Sequence, residues 1–237
     1  MKILAFDTSN QPLVVTLAQD TEVVQQYETN QPRSHSIQLL PAIKQLLQEQ
    51  DWQLTDLDRI VVAQGPGSFT GLRIGVTVGK VLADTLNIPL VGVSSLAILA
   101  AQIPGNSLVV PIFDARNQNV FAGVYQNGDN LLADGHYPIQ TVLDFLGQKS
   151  TAVTFLGDAQ NFADLIIDQL KNQVVTILAP EDSLPNGDGI IRIGLKQTPV
   201  ENIADFNPNY LRKTQAELNW LAQHPGEDRP EDYVFEV

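Results

Sequence analysis

Alternating and clustered apolar positions divide the first hundred residues into short segments. Lys2–Thr8 and Leu13–Gln19 are mostly apolar and flank Ser9, Asn10, Gln11 and Pro12, a group with turn chemistry, so the pattern predicts two paired strands. Glu22–Glu28 reads as a third strand. From Ser34 to Gln50, Leu39, Leu40, Ile43, Leu46 and Leu47 recur at helical spacing. Pro41 is expected to kink that helix or delay its start, because proline lacks an amide donor. Ile60–Ala63 reads as a buried strand, Gly71–Leu86 as a helix and Leu90–Val93 as a strand. Ser94 or Ser95 then caps a short alanine-rich helix ending near Gln102. The predicted order is β-β-β-α-β-α-β-α, punctuated by Pro104 and Gly105.

The order partly repeats. Leu108–Phe113, Val120–Tyr125 and Leu131–Tyr137 read as strands, Ile139–Leu146 as a helix, Val153–Leu156 as a strand, Phe162–Leu170 as a helix and Val174–Ile177 as a strand. A loop of turn formers, Pro180–Gly189, precedes a helix over Gly189–Lys196. Two copies of one mixed topology predict an α/β protein of two units, 1–103 and 104–212, followed by a loosely held tail over 213–237.

The helix over Gly71–Leu86 has almost no polar face. Arg73, Thr77, Lys80 and Asp84 form one narrow stripe, Gly71, Gly75, Gly79 and Ala83 form a ridge, and Ile74, Val78, Val81 and Leu82 widen the apolar surface. A surface helix needs a single apolar stripe, so this one is predicted to pack on two sides. Each glycine costs about 1 kcal/mol of helix propensity relative to alanine, which suits close approach of another backbone. That backbone belongs either to another layer of the same domain or to a second chain.

Composition narrows the field. With 43% hydrophobic and 17% charged residues, the chain reads as a globular protein. It contains no cysteine, which excludes disulfides, thiolate catalysis and cysteine-ligated metals. The first residues, MKILAFDTSNQ, reach an aspartate at position 7 and read as a strand instead of a signal peptide. No apolar run approaches a membrane span of roughly 18 residues, so a cytoplasmic location is expected. The formal charge of −13 repels phosphate backbones, and Arg59, Arg73 and Lys80 are scattered. Direct binding to nucleic acid is therefore not expected; a basic partner would carry that role.

Candidate chemistry is sparse. Asp7 and Asp114 each end a predicted strand, and such carboxylates hold a cation or position water near phosphate, or else cap a local Asx turn. Arg116 is close enough in sequence to pair with Asp114. In GPGSFTG, Gly65 and Gly67 allow positive φ around Pro66, and Ser68 or Thr70 can cap the next helix. The loop lacks the lysine of GxxxxGK[ST] and is not a GxGxxG loop. His35, His136 and His224 form no HExxH or HxxxH pair, and Ser68, Ser94 and Ser95 sit in no nucleophile elbow. No catalytic or metal-binding set emerges.

The segments ILAFDTS (3–9), HSIQLLPAI (35–43), GPGSFTGLRIGVTVGKVLA (65–83), DAR (114–116) and NPNYLR (207–212) closely resemble the bacterial TsaB family, formerly called YeaZ. The resemblance implies duplicated RNase H-like units in the actin, Hsp70 and sugar-kinase (ASKHA) fold. It also implies a noncatalytic partner of TsaD in making N6-threonylcarbamoyladenosine beside the anticodon of tRNAs that decode ANN codons. The TsaE ATPase would complete the complex, and TsaC would supply the threonylcarbamoyl-adenylate. No intrinsic cofactor is implied; ATP and the adenylate belong to the complex, and tRNA is reached only through it. Heterodimerisation would use helices of the first unit, which by motif matching gives His35, Leu39, Ile43, Gly71, Gly75, Val78, Gly79 and Leu82 as interface residues, with a homodimer when the partner is absent. Asp7 and Asp114 remain the candidates for a cofactor cleft. The chain departs from the family pattern at Ile37 and Gln38, where an acidic residue is usual, and at Asn119, Val120 and Phe121, where a glutamate and tyrosine are usual. The other functional class is an ATP-dependent enzyme of the kinase-like superfamily or a peptidase-like hydrolase, and a complete nucleotide or metal site would distinguish it.

Overall fold

The computed structural model describes residues 1–31, 34–212 and 220. The sequence readings of a tail over 213–237 and of His224 therefore lie outside the described residues, apart from Trp220. The first sheet contains β1 (Lys2–Asp7), β2 (Leu13–Gln19), β3 (Glu22–Thr29), β4 (Arg59–Gly65) and β5 (Leu90–Ser94), in the order β3-β2-β1-β4-β5. β1 pairs antiparallel with β2 and parallel with β4. The pleat sorts its side chains. Leu4 and Phe6 join the core beneath helices α1 (His35–Glu49) and α2 (Phe69–Leu86), while Ile3 and Ala5 join the opposite core. Apolar cover on both faces explains the near-continuous hydrophobicity of β1 and β4.

The second sheet repeats the plan with β6 (Leu108–Asp114), β7 (Asn119–Gln126), β8 (Asp129–Pro138), β9 (Val153–Gly157) and β10 (Val175–Ile177), in the order β10-β9-β6-β7-β8. Read from its other edge, this is the order of the first sheet. Helices α4 (Ile139–Gly147) and α5 (Ala163–Gln169) cover one face. The short α3 (Ser95–Ala100) lies between the sheets, with Ile98 in the core of the first and Leu96 and Leu99 packed with Val109, Phe113 and Leu156 of the second.

Three expectations are corrected. α1 does not start late at Pro41; it runs from His35 to Glu49 with the exposed Pro41 inside it, and the amide missing there leaves one helical bond unmade. Leu40 does not share the buried face of α1 and is 54% exposed. The residues from 187 onward do not stay with the second sheet, although their position in the chain grouped them with 104–212. Helix α6 (Gly187–Gly194) places Ile190 and Ile191 in the core formed by Ile3, Ala5, Val61 and Val91 of the first sheet. The chain then runs along the first sheet: the Val200 amide donates to the Leu90 carbonyl (2.9 Å), Phe206 is buried beside α2, and the Asn209 amide donates to the Gln64 carbonyl (2.8 Å). Apolar cover for the remaining bare face of the first sheet drives this return.

Candidate functional site

Two motifs at the start of the chain and at the entry to α2 are locked together. The Thr8 hydroxyl donates to the Gly71 carbonyl (2.7 Å), and the Ser68 amide donates to the Ser9 carbonyl (2.6 Å). A methyl group on Gly67 or Gly71 would overlap the backbone oxygens of Ser9 and Thr8. These glycines therefore serve close backbone approach. Ser68 caps the helix by accepting from the Gly71 amide (3.3 Å). GPGSFTG is thus a helix entry clamped onto β1, with the Ser68 and Gly71 amides already bonded.

Asp7, at the end of β1, is 1% exposed, and its Oδ1 accepts from the Ser9 amide (2.7 Å), an Asx turn. Burial pushes its carboxyl above the ordinary range; the amide bond from Ser9 and the charge of His35 pull the other way. Asp7 lines a cavity of about 190 Å³ between the sheets, together with Ser9, Ser95, Phe113 and Asp158. The hydroxyls of Ser9 and Ser95 are buried there without a partner among the described residues.

Asp114 does not join Asp7 in that cavity. It is exposed, and its Oδ1 accepts from the Arg116 backbone amide (2.7 Å), so Arg116 contributes its main chain where the sequence suggested an ion pair. The carboxylate that shares the cavity with Asp7 is Asp158, whose Oδ2 accepts from the Asp114 amide (2.8 Å). Burial raises the Asp158 carboxyl, the Asp114 amide opposes this, and the Asp114 charge reinforces it. Sequence reasoning missed Asp158. The signal was a third strand-end carboxylate, directly after β9. His35 Nε2 lies 3.0 Å from the Gln11 carbonyl, and His136 rests at a tilt against Phe121, centroids 5.3 Å apart. Among the described residues no three of His, Asp and Glu gather closely enough to hold a metal. The cleft offers a buried, protonatable carboxyl and two free hydroxyls, without a nucleophile and base in contact.

The predicted interface residues divide. Gly71, Gly75 and Gly79 face inward: an added Cβ would meet Thr8 at the first two and Val62 (2.5 Å) and Leu90 (3.4 Å) at the third. Leu39 and Ile43 are buried in the same core. Gly71, Gly75, Gly79 and Leu39 are thus covered by the chain's own sheet, while Ile43, though buried, also lines the groove described below. His35, Val78 and Leu82 are half-buried. The apolar surface left open on these helices is a different stripe, with Ile37 72%, Val81 58% and Leu40 54% exposed and Ile74 and Val78 half-buried beside them. A groove of about 500 Å³ adjoins it, lined by Leu40, Leu47, Trp52, Leu54 and Leu82.

The polar stripe of α2 is occupied by the chain itself. Lys80 donates to the Ala204 carbonyl (2.6 Å), Arg73 Nε donates to the Tyr210 hydroxyl (2.9 Å), and Tyr210 stacks on Phe69 with centroids 4.9 Å apart. The GPGSFTGLR and NPNYLR motifs, far apart in sequence, meet here.

Two equivalent sheets around a polar cleft, each with the same strand order, define a duplicated α/β protein of the actin, Hsp70 and sugar-kinase class. A Thermus thermophilus ROK hexokinase shares the fold at 9% identity and a TM-score of 0.51, over 83% of this chain and 99% of that one. Residues 22–220 match the family described as TsaD, tRNA N6-adenosine threonylcarbamoyltransferase. The Bacillus subtilis tRNA threonylcarbamoyladenosine biosynthesis protein TsaB is 37% identical over 226 residues, covering 93% of this chain and 98% of that protein. YeaZ from Pseudomonas aeruginosa superposes with a TM-score of 0.71 at 27% identity, over 89% of this chain and 99% of its own. The chain belongs to the TsaB family. Among the described residues, no helix is long and apolar enough to cross a membrane.

Proposed function

We propose that the chain is a noncatalytic accessory subunit in tRNA threonylcarbamoyladenosine biosynthesis, acting in the cytoplasm by docking a TsaD-like catalytic relative through the outer face of α1 and α2. The exposed Ile37, Leu40 and Val81, with the apolar groove that includes Leu40 and Leu82, carry this reading, because exposed apolar surface beyond scattered single side chains marks a protein contact. TsaB relatives matched over nearly their whole length support the pathway. A formal charge of −13 favours reaching tRNA through the partner. A TsaE-like ATPase joins the same complex, which uses ATP and threonylcarbamoyl-adenylate, while the same apolar stripe pairs two copies of this chain when the partner is absent.

The reading as an ATP-dependent enzyme or hydrolase rests on the cleft at Asp7. Its volume of about 190 Å³ falls below the roughly 300 Å³ at which small-molecule pockets usually begin. The test is reconstitution of threonylcarbamoylation with purified components, with and without this chain. Product should fall to background on omission; undiminished product would refute the accessory role.

A further inference from the structure

A second cavity, of about 390 Å³, lies between α3, α6 and the β7–β8 hairpin. It is about twice the volume of the cleft at Asp7 and falls within the size range of small-molecule sites. Ala97, Ala100 and Ala101 contribute small side chains on the α3 side. Arg192 and Lys196, one helical turn apart, line it from α6 and the residues just after it. The exposed Arg192 donates one N–H to the Ala101 carbonyl (2.8 Å), which orients the guanidinium and leaves its other donors unengaged among the described residues. The Lys196 side chain has no hydrogen bond or ion pair among the described residues, and its ammonium lies near the hairpin glycine Gly128.

The carboxylate in the wall, Asp134, is already engaged. It accepts from the Tyr125 and Ser94 hydroxyls and from Asn130 Nδ2 (3.2 Å). Two cations without carboxylate partners therefore face a partly enclosed space on a chain whose formal charge is −13. Electrostatic attraction is stronger where water is partly excluded, and a guanidinium offers an oxyanion several charge-assisted donors. We propose that this cavity binds a small organic anion, a carboxylate or a phosphomonoester, with its head between Arg192 and Lys196 and its body against the alanines of α3. Because α6 packs on the first sheet and the hairpin belongs to the second, the bound anion touches both halves.

Calorimetric titration of the full chain with phenyl phosphate, phenylacetate and the uncharged benzyl alcohol tests the site. At least one anion should bind saturably, and benzyl alcohol about tenfold more weakly or not at all. Preference for phenyl phosphate assigns a phosphomonoester, and preference for phenylacetate a carboxylate. Arg192→Gln with Lys196→Gln should weaken the preferred anion about tenfold or more, equivalent to about 1.4 kcal/mol. Lys196→Gln alone changes an exposed side chain, serves if the double variant fails to fold, and should still weaken binding severalfold. The proposal is overturned by absence of saturable anion binding up to about 10 mM, by equal binding of benzyl alcohol, or by affinity unchanged in Lys196→Gln.

Discussion

Asp7 sits almost fully buried at the end of β1, where one amide bond from Ser9 replaces only part of the hydration its ionised form would have in water. Its folded-state pKa therefore lies above the ordinary 3.8. Above that value the native chain holds more protons than the unfolded chain, so stability falls as pH rises from 3.8 through the raised native value. Asp7→Asn keeps an oxygen to accept from Ser9 and removes the charge. Thermal melts from about pH 4 to about pH 7 should show a flatter profile for this variant and a higher melting temperature at the neutral end. A profile parallel to wild type would assign the slope to another buried carboxyl, with Asp158 the first to substitute. At this scale the sequence picked out two strand-end carboxylates, and both form the Asx turn offered as one reading, but only Asp7 lines the cleft. Asp7 and Asp114 occupy equivalent places in the repeat, but the Asx turn at Asp114 faces solvent, and only the fold brings Asp158 to the cleft.

On α2 the ridge of glycines packs on the sheet, and the branched residues one step around the helix stay half-buried or exposed. Helical periodicity could not decide this, since both stripes are small or apolar and either could have been the buried one. The deciding contact is backbone on backbone: Gly71 meets the Thr8 carbonyl. Gly71→Ala gains about 1 kcal/mol of helix propensity but forces a methyl group into a carbonyl that cannot move aside. A net loss of about 1–3 kcal/mol is expected by denaturant unfolding, and a variant as stable as wild type would contradict the packing. Val81→Asp makes the opposite test. At an exposed position it should change stability by no more than about 0.5 kcal/mol, yet weaken calorimetric binding to a TsaD-like partner at least tenfold. Unchanged affinity would remove this face from the interface. The order of elements along the chain was legible because short apolar runs between turn formers mark strands and helical spacing marks helices without any reference to their partners.

At the scale of the whole molecule, the two halves exchange cover. The second sheet lends α6 and residues 200–210 to the first, and Arg212 donates back to the Ala115 carbonyl (3.2 Å). This exchange was not legible from residue patterns, because an amphipathic helix such as α6 carries no mark of which sheet it will cover. A chain ending at residue 186 leaves Ile3, Ala5, Val61 and Val91 without Ile190 and Ile191. Circular dichroism should find no cooperative thermal transition in it, whereas a sharp melt would show that the first sheet stands without its borrowed helix. Phe206→Ala, deep in the first core, should cost about 3–5 kcal/mol and behave as a core substitution despite its place in an irregular segment.

The return of α6 also sets a schedule for synthesis. β1 to β5 leave the ribosome roughly a hundred residues before the helix that seals one of their faces, an interval of about 5–20 s at translation rates of about 5–20 residues per second. Throughout that interval the nascent sheet presents an open greasy face, so it is then a client for holdase chaperones. Ribosome-stalled chains halted before residue 187 should be cut by protease within β1–β5, and chains halted far enough downstream for residue 210 to have emerged should resist.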